Sequence, residues 1–330
     1  DEGLRFIFDG LHRGNRELNC LISIRVKEQP HDPDSPSETV VARKRINLFS
    51  VSGCKEIALL IAQRLNRDKQ LVTTMFEAAA ARTDEFFQSG EPMAFLEDIT
   101  PAGEKPYVVE RVLETGECTG IFAAGDSGKT WMAMAVQLSL AYGVEFIPGL
   151  KPLNEHRGLF LDWETNRDTW AYRARLLLAG RNIKDSKLSA LAYKRMHAPL
   201  AEAVDEIQGL RDANKFDFFV FDSGGAACGG LISDEPAVLG FFNAIRLIGG
   251  TSLHTTHVPH SDADRPIGSQ YWHSQPRATW KVIKDEEQGD NEIFVSLKHM
   301  KHNNQKQQPL MSYRITFSPS AVAFQQASPA

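Results

Sequence analysis

The sequence predicts an α/β fold with a mainly parallel central sheet, antiparallel strands after it, and a small α+β segment before it. Three observations lead to this prediction. A short apolar strand passes through a turn of small residues into an apolar helix between Cys118 and Gly143. From Tyr107 onward, strand-like runs alternate with helix-like segments, which is typical of parallel sheets. From Ala278 onward, strand-like runs follow one another across polar turns, which predicts an antiparallel meander.

Composition restricts the possible classes of function. The 330 residues carry a formal net charge of −5 and the isoelectric point is near 6.1, so any nucleic-acid contact would be local. No apolar run of the sequence approaches the ~18 residues that a membrane span needs, and the chain does not open with a charged-then-apolar leader. We therefore expect a soluble, cytoplasmic protein without membrane contact. The four cysteines lie far apart, which predicts buried thiols rather than a metal site.

Two domains of unequal size are expected, an accessory segment over 1–100 and a larger domain over 101–330. The first of these has no residues at catalytic spacing, so we expect it to serve in docking or oligomerisation. Its alternating and helical apolar patterns, and its Pro-rich stretches, predict a sequence of local elements. These are strands at RFIFDG and CLISIRV, a loop over 31–38, helices over 55–65 and 71–81, and a linker over 90–106.

The turn after the first central strand matches the phosphate-loop pattern [A/G]-x-x-x-x-G-K-[S/T], from Ala123 to Thr130. Small residues allow consecutive backbone N–H groups to surround a polyphosphate, and the following helix N-terminus adds partial positive charge. Lys129 would contact the β and γ phosphates, and the Thr130 hydroxyl would bind Mg²⁺, so ATP and Mg²⁺ are the expected cofactors. The residues expected to bind the nucleotide are Ala124, Gly125, Asp126, Ser127, Gly128, Lys129 and Thr130.

Polar residues follow three further predicted strands. Asp162 and Glu164 follow the second, Asp222 ends the third, and His257 ends the fourth. Four or five large apolar residues before Asp222 match the Walker B pattern, whose carboxylate reaches the Mg²⁺, usually through water. Because open α/β sheets bind ligands at the carboxyl ends of their strands, we expect these side chains to surround the phosphate loop.

The remaining pattern predicts the elements that complete the domain. Strands are expected over 120–123, 158–161, 216–222, 251–256, 278–284, 292–299 and 310–317, and helices after the phosphate loop, around Trp170–Leu178, and over 201–212 and 236–248. Beyond Ser318, an Ala-, Gln- and Pro-containing tail is expected to fray.

Six segments together resemble the plasmid RepA-like branch of RecA-like hexameric ATPases, which is found in phage and mobile-element primase–helicase proteins. They are AAGDSGKT, LFLDWET, FFVFDSGGAACGG, TSLHTTHV, IGSQYWHSQPRATW and KHMKHNN. The resemblance covers about residues 105–318 and implies a RecA-like P-loop NTPase core. A weaker similarity, in RINLFSVSGCKEIALLIAQRL, is to the region that joins a primase-type module to this ATPase.

The resemblance implies a role for each matched residue. Lys129 and Thr130 would bind phosphate and metal, Asp222 would hold Mg²⁺ through water, and His257 would sense the γ-phosphate. Glu164 would polarise the attacking water, and Asp162 is its rival, which could instead cap the strand end. Hydrolysis needs positioning and charge stabilisation more than covalent chemistry, and these residue types supply both.

The resemblance also implies a homo-oligomeric, hexameric ring in which a neighbouring subunit completes each site. Arg277 matches the arginine finger, and Lys301 the basic residue of a K-x-N pattern with Asn303. For each cation the alternative is a solvent-exposed or salt-bridged role. The loop over 258–270 would face a central channel for single-stranded DNA, although its two Asp and one Arg give it little positive charge.

The sequence and the resemblance therefore lead to the expectation of an ATP-driven ring motor, a DNA helicase that acts in replication of a plasmid, phage or integrated element. A primase or another replication partner would dock on the N-terminal segment. The first alternative is a nucleotide-gated DNA-binding regulator or recombination-mediator ATPase without unwinding activity. The second is a degenerate nucleotide-binding scaffold, which the joint presence of Lys129, Thr130, Glu164 and Asp222 argues against.

Overall fold

The computed structural model describes residues 3–14, 17–27, 38–89, 93–95, 107–184, 190–257, 268–285 and 289–328. The chain forms two compact units, one of residues 1–101 with 201–205, the other of residues 102–200 with 206–330. Three predicted segments lie largely or wholly outside the described residues: the loop over 31–38, the linker over 90–106, and residues 258–267 of the expected channel loop. Within the described ranges, no helix is long and apolar enough to cross a membrane.

The first unit is a three-stranded antiparallel sheet followed by two helices. The strands are β1 (Leu4–Gly14), β2 (Glu17–Lys27) and β3 (Glu38–Asn47), and the helices are α1 (Val51–Arg64) and α2 (Lys69–Ser89). β2 is the central strand, and its side chains at alternate positions, Cys20, Ile22 and Ile24, pack in one core with Ile57 and Phe76 of the helices. This period of two places every second residue of β2 on the helix-covered face.

The second unit alternates strands and helices before it ends in four consecutive strands. The strands are β4 (Tyr107–Val109), β5 (Leu113–Glu114), β6 (Cys118–Ala123), β7 (Gly158–Asp162), β8 (Leu191–Arg195), β9 (Phe218–Asp222), β10 (Thr251–His257), β11 (Ala278–Lys284), β12 (Glu292–His302), β13 (Met311–Phe317) and β14 (Val322–Ala327). The helices are α3 (Lys129–Tyr142), α4 (Arg167–Gly180), α5 (Val204–Asn214), α6 (Gly224–Ala227), α7 (Glu235–Ile248) and α8 (Tyr271–Ser274).

A nine-stranded sheet runs through this unit in the order β14-β13-β12-β11-β6-β10-β9-β7-β8. The strands from β11 to β8 in this order pair in parallel, and β11 to β14 pair in antiparallel register. The four strands β6, β10, β9 and β7 are inner strands of this sheet. Their residues form nearly continuous buried runs, as expected for parallel strands that are covered on both faces. The predicted α/β fold, with a mainly parallel central sheet and an antiparallel end, is confirmed.

Helix α3 shows why the sheet can hold a polar loop in a fixed place. Its residues from Met132 to Tyr142 are buried, as expected for a helix surrounded by other elements. The helix ends at Tyr142, and the following Gly143 adopts φ +67° and donates its N–H to the Ser139 carbonyl. Burial along almost its whole length fixes this helix, and its first turn follows the phosphate loop at the end of β6.

Five strands differ from the sequence prediction. The strands β3, β4, β5 and β8 were not predicted. The tail beyond Ser318 was expected to fray, although Val322–Ala327 forms β14, paired with β13. The tail prediction was wrong because a tertiary partner outweighs local composition: Val322 and Phe324 pack into the core of the second unit. β3 and β8 are edge strands, whose exposed positions carry charged residues that obscure the apolar pattern.

Candidate ATPase site

The parallel register brings the ends of four strands to one edge of the sheet. His257 of β10 lies opposite Ala123 of β6, and Asp162 of β7 lies opposite Asp222 of β9. The strand order β6-β10-β9-β7 makes these ends contiguous. The residues that the motifs selected one by one, from the phosphate loop to His257, thus occupy a single edge, where open α/β sheets bind their ligands.

The phosphate loop uses two left-handed residues to turn from β6 into α3. Asp126 has φ +54° and Gly128 has φ +80°. At Gly128 a Cβ atom would lie 3.2 Å from Ile293 Cδ1 and 3.3 Å from Ile315 Cδ1, so both conformation and space favour glycine. Ala124 and Gly125 are exposed, and Ser127 is buried with its hydroxyl donating to the Ala124 carbonyl at 2.8 Å. The exposed backbone of the turn is available to an anion.

Lys129 is held against its own loop. Its Nζ donates to the carbonyl of Ala124 at 2.9 Å and of Ala123 at 3.4 Å, and it lies 3.5 Å from His257 Nδ1. Burial lowers the pKa of Lys129, and the carboxylates of Asp222 and Glu164 oppose that change. An ammonium that is largely removed from water and bonded to neutral carbonyls can exchange those weak partners for phosphate oxygens.

Thr130 and Asp222 form the oxygen pair expected for a metal. The Thr130 hydroxyl donates to Asp222 Oδ2 at 2.8 Å, and the Thr255 hydroxyl donates to Asp222 Oδ1. Asp222 is only 2 % exposed, and burial is the main cause that raises its pKa to about 6, with the Glu164 and Asp162 charges adding to it. Hydroxyl and carboxylate oxygens are ligands that Mg²⁺ prefers, and a bound cation would compensate the buried charge, so these residues fit the ion.

Glu164 is accessible and has two polar neighbours. Its Oε1 accepts a hydrogen bond from the Ser223 hydroxyl at 2.5 Å and lies 3.8 Å from His257 Nε2. His257 is the largest cause that lowers the pKa of Glu164, with Ser223 contributing and burial opposing. The side chain is 40 % exposed, so it is an ionised carboxylate that solvent can reach, which is what orienting a water molecule requires.

Asp162, the rival of Glu164, is used inside the protein. It is 1 % exposed, and its two oxygens accept hydrogen bonds from the backbone and side chains around the turn that follows β7. The geometry therefore favours Glu164 as the carboxylate that faces a ligand, and gives Asp162 the capping role that the sequence left open.

Arg277 and Lys301 lie at the amino ends of the parallel strands, on the opposite side of the sheet from the phosphate loop; we call this side the amino edge. Arg277 precedes β11 and donates its N–H to the Cys118 carbonyl at the start of β6, and Lys301 of β12 lies opposite Thr279. Since β6 spans six residues, this amino edge is ~17 Å from the phosphate loop. A single chain therefore does not bring these two cations to its own Lys129.

Both cations have partners in the chain. Arg277 Nη2 lies 3.1 Å from Glu117 Oε1. Lys301 Nζ donates to the carbonyls of His273, Ser274 and Pro276, at the C-terminal end of α8, and burial lowers its pKa, with Arg277 a second cause. Arg277 and Glu117 line a polar pocket of about 380 Å³ at this edge, together with Arg246 and Asn303.

The two histidines of the KHMKHNN segment, His299 and His302, do not form an exposed basic patch. His299 is 3 % exposed and stacks on Trp280 with ring centroids 4.1 Å apart, and burial lowers its pKa to about 4. The His302 side chain is buried with its Nε2 3.8 Å from Glu114 Oε2. These residues support the hairpin that carries Lys301.

Three contacts of the site were missed in the sequence. The Ser223 hydroxyl donates a hydrogen bond to Glu164, and the Thr255 hydroxyl donates one to Asp222. The Tyr193 hydroxyl, on the edge strand β8, donates one to Asp162 at 3.0 Å. Ser223 could have been found because it directly follows Asp222, and Thr255 because it shares a strand face with His257. Tyr193 has no local motif. Within the described residues, no group of three or more His, Cys, Asp or Glu forms a further metal site.

Comparison with known proteins gives one family and one set of structural neighbours. A family model described as an AAA domain matches residues 88–263, slightly more than half of the chain. Among solved structures, a KaiC-like protein of the hyperthermophilic archaeon Pyrococcus horikoshii aligns with a TM-score of 0.46 and 16 % identity. That alignment covers 66 % of this chain and 93 % of the other. A search of curated proteins gave no match.

Proposed function

Because this chain belongs to the AAA domain family, we propose that it is a RecA-like P-loop ATPase, which works as a ring of identical subunits, hydrolyses ATP with Mg²⁺ and acts on DNA. The expected setting is the cytoplasmic replication of a plasmid, phage or integrated element, with strand separation as the output. The N-terminal unit would then dock a primase or another replication partner.

One observation carries the ring assignment: the charged groups of one reaction lie at two opposite edges of one sheet. Lys129, Glu164 and Asp222 are at the carboxyl edge, and Arg277 is ~17 Å away at the amino edge. A head-to-tail interface can close into a ring. In the ring proposed here, the amino edge of one subunit would face the carboxyl edge of the next, and the two half-sites would form one site. An isolated subunit should therefore hydrolyse ATP slowly.

Each group has a defined task in the proposed hydrolysis. The loop N–H groups and Lys129 bind the phosphates, while Glu164, oriented by Ser223, accepts a hydrogen bond from the attacking water. Mg²⁺, when bound by Thr130 and Asp222, supplies charge neutralisation at the phosphate oxygens. Arg277 from the neighbouring subunit would neutralise charge that develops on the transferred phosphoryl group, an effect that raises rates by several orders of magnitude in other systems.

The DNA part of the proposal is supported by the resemblance of the six sequence segments. The low positive charge of the loop over 258–270 favours the alternative of a nucleotide-gated regulator that assembles on DNA without unwinding it. A strand-separation assay decides between them. If the protein is a DNA-separating motor, a labelled strand should be displaced in the presence of ATP. If it is a nucleotide-gated regulator, DNA should stimulate assembly and ATP turnover without strand displacement.

The ring assignment is tested by mixing two inactive variants, Lys129→Ala and Arg277→Ala. In a mixed ring, an Arg277→Ala subunit offers an intact phosphate loop to the intact Arg277 of a Lys129→Ala neighbour. Random mixing at equal amounts makes about one quarter of the interfaces complete, so turnover should recover to at most about a quarter of the wild-type value. ATP turnover and light scattering are followed together, with and without single-stranded DNA.

The control is Arg314→Ala, which removes an arginine of β13 whose partners are Glu292 and Gln325 rather than a charged residue of the site. This variant should keep wild-type turnover alone and should not depend on mixing. If both test variants assemble and every mixture stays inactive, Arg277 does not act across an interface. If turnover per chain is independent of protein concentration, the site is complete in one chain and the ring proposal fails.

A further inference from the structure

The turn that carries Glu164 is fixed by a buried carboxylate with four hydrogen-bond donors. Asp162 Oδ1 accepts from the backbone N–H of Glu164 at 2.8 Å and of Thr165 at 2.9 Å. Its Oδ2 accepts from the Thr165 hydroxyl at 2.5 Å and from the Tyr193 hydroxyl at 3.0 Å. At 1 % exposure, these four donors replace the water that a carboxylate needs.

Tyr193 is the one donor that comes from outside this turn. It lies on the edge strand β8, opposite Phe160 of β7, and its ring packs against Phe160 and Trp170 with centroids 6.4 and 5.3 Å apart. The position of the ring is therefore set by packing, and the hydroxyl is carried to Asp162 by a rigid platform. Removing the hydroxyl alone leaves this packing intact.

We propose that Asp162, held by Tyr193, is the positioning residue of Glu164, so that the edge strand β8 takes part in setting the geometry of hydrolysis. This inference rests on the proposed role of Glu164. The Glu164 side chain is 40 % exposed, and its side-chain partners, Ser223 and His257, both contact the same oxygen, Oε1, so the placement of the carboxylate also depends on the Glu164 backbone. That backbone is anchored at the Glu164 N–H by Asp162.

Loss of the Tyr193 hydroxyl leaves Asp162 Oδ2 with the Thr165 hydroxyl only, and the turn gains freedom. Misplacement of a reacting group by a fraction of an ångström reduces the chemical step and leaves ground-state binding intact. We expect Tyr193→Phe to lower kcat for ATP about tenfold, with KM changed less than about twofold. A role limited to fold stability would instead lower the melting temperature and leave kcat per folded protein unchanged.

The experiment uses the full chain, with single-turnover hydrolysis of radiolabelled ATP measured for Tyr193→Phe, Glu164→Gln and the double variant. If Asp162 acts through Glu164, the tenfold loss disappears in the Glu164→Gln background, since the group being positioned is absent. Tyr172→Phe is the matched control, because it removes the same hydroxyl group from a tyrosine of α4 that is 56 % exposed, whereas the Tyr193 hydroxyl donates to Asp162. Thr165→Ser, which keeps the second hydroxyl, should retain nearly wild-type kcat.

Two outcomes overturn the inference while leaving the ATPase proposal intact: wild-type kcat in Tyr193→Phe, or an equal loss in both backgrounds. Full turnover in Glu164→Gln would overturn the proposed base itself, and is thereby distinguishable. Asp162→Asn is not the main test, because an amide at a site with four donors can prevent folding.

Discussion

The buried, ionised Asp222 should lower the free energy of unfolding of the metal-free protein at neutral pH, and Asp222→Asn should raise it. The pKa of Asp222 is raised to about 6 from an ordinary 3.8, chiefly by burial. A carboxyl group whose pKa is raised on folding favours the folded state while it is protonated. Its contribution is thus fully present below pH 3.8 and is lost as pH rises through 6.

The size of the effect follows from that difference. At ~1.4 kcal/mol per pH unit, the ionised carboxylate costs ~3 kcal/mol above pH 7 and about half of that at pH 5. An asparagine carries no charge but accepts the hydrogen bonds of Thr255 and Thr130 less well, which offsets about 1 kcal/mol. We therefore expect Asp222→Asn to be ~1–2 kcal/mol more stable than wild type at pH 8, and nearly equal to it at pH 5.

The assay is urea unfolding in EDTA, followed by tryptophan fluorescence. All five tryptophans lie in the second unit, so the signal reports on the unit that contains Asp222. The control is Asp168→Asn, whose side chain is 94 % exposed and which should show the same stability change at both pH values. Adding Mg²⁺ and ATP should stabilise the wild type more than Asp222→Asn, because the variant keeps the phosphate loop and Lys129 but lacks the metal carboxylate.

The reasoning is refuted if Asp222→Asn is less stable than wild type at pH 8, or if the difference between the two is independent of pH. Either result would mean that Asp222 is not a strained, buried charge. The same variant should be inactive as an ATPase, so a gain in stability would accompany a loss of function.

Two further predictions concern the amino half of the sheet. Gly120→Ala would place a Cβ 2.8–2.9 Å from the ring of His254, which is fully buried. We therefore expect the free energy of unfolding to fall by ~1–3 kcal/mol, seen as a lower melting temperature. An unchanged melting temperature would show that His254 can move. Burial raises the pKa of the Cys118 thiol to about 12, so at pH 7 this thiol should react with a maleimide at least 100-fold more slowly than a free cysteine. The labelling is measured by mass spectrometry after proteolysis, and labelling at the free-thiol rate would contradict this prediction.

The strongest sequence predictions concern elements whose information is local. The phosphate loop is specified by consecutive residues, since Asp126 and Gly128 adopt the left-handed conformations of its turn and Lys129 and Thr130 begin the helix that follows. Asp222 was predicted because it ends an apolar run, and His257 because it ends a predicted strand; parallel strands bring such ends to one edge. The α/β class, with its antiparallel end, followed from the change of pattern along the chain.

Other features depended on residues far apart in the sequence. The resemblance preferred Glu164 to Asp162 in the segment DWE, but the physical difference between these two carboxylates is the four donors of Asp162, one of them from Tyr193 on β8. β14 has weak local propensity and forms because β13 offers an edge and the core accepts Phe324.

The distance of Arg277 from its own phosphate loop depends on strand order, which the sequence does not state. A motif is written in neighbouring residues and is fixed by backbone conformation and local chemistry. The choice between chemically similar side chains is made by burial and by hydrogen bonds from distant strands, and these exist only once the sheet has assembled.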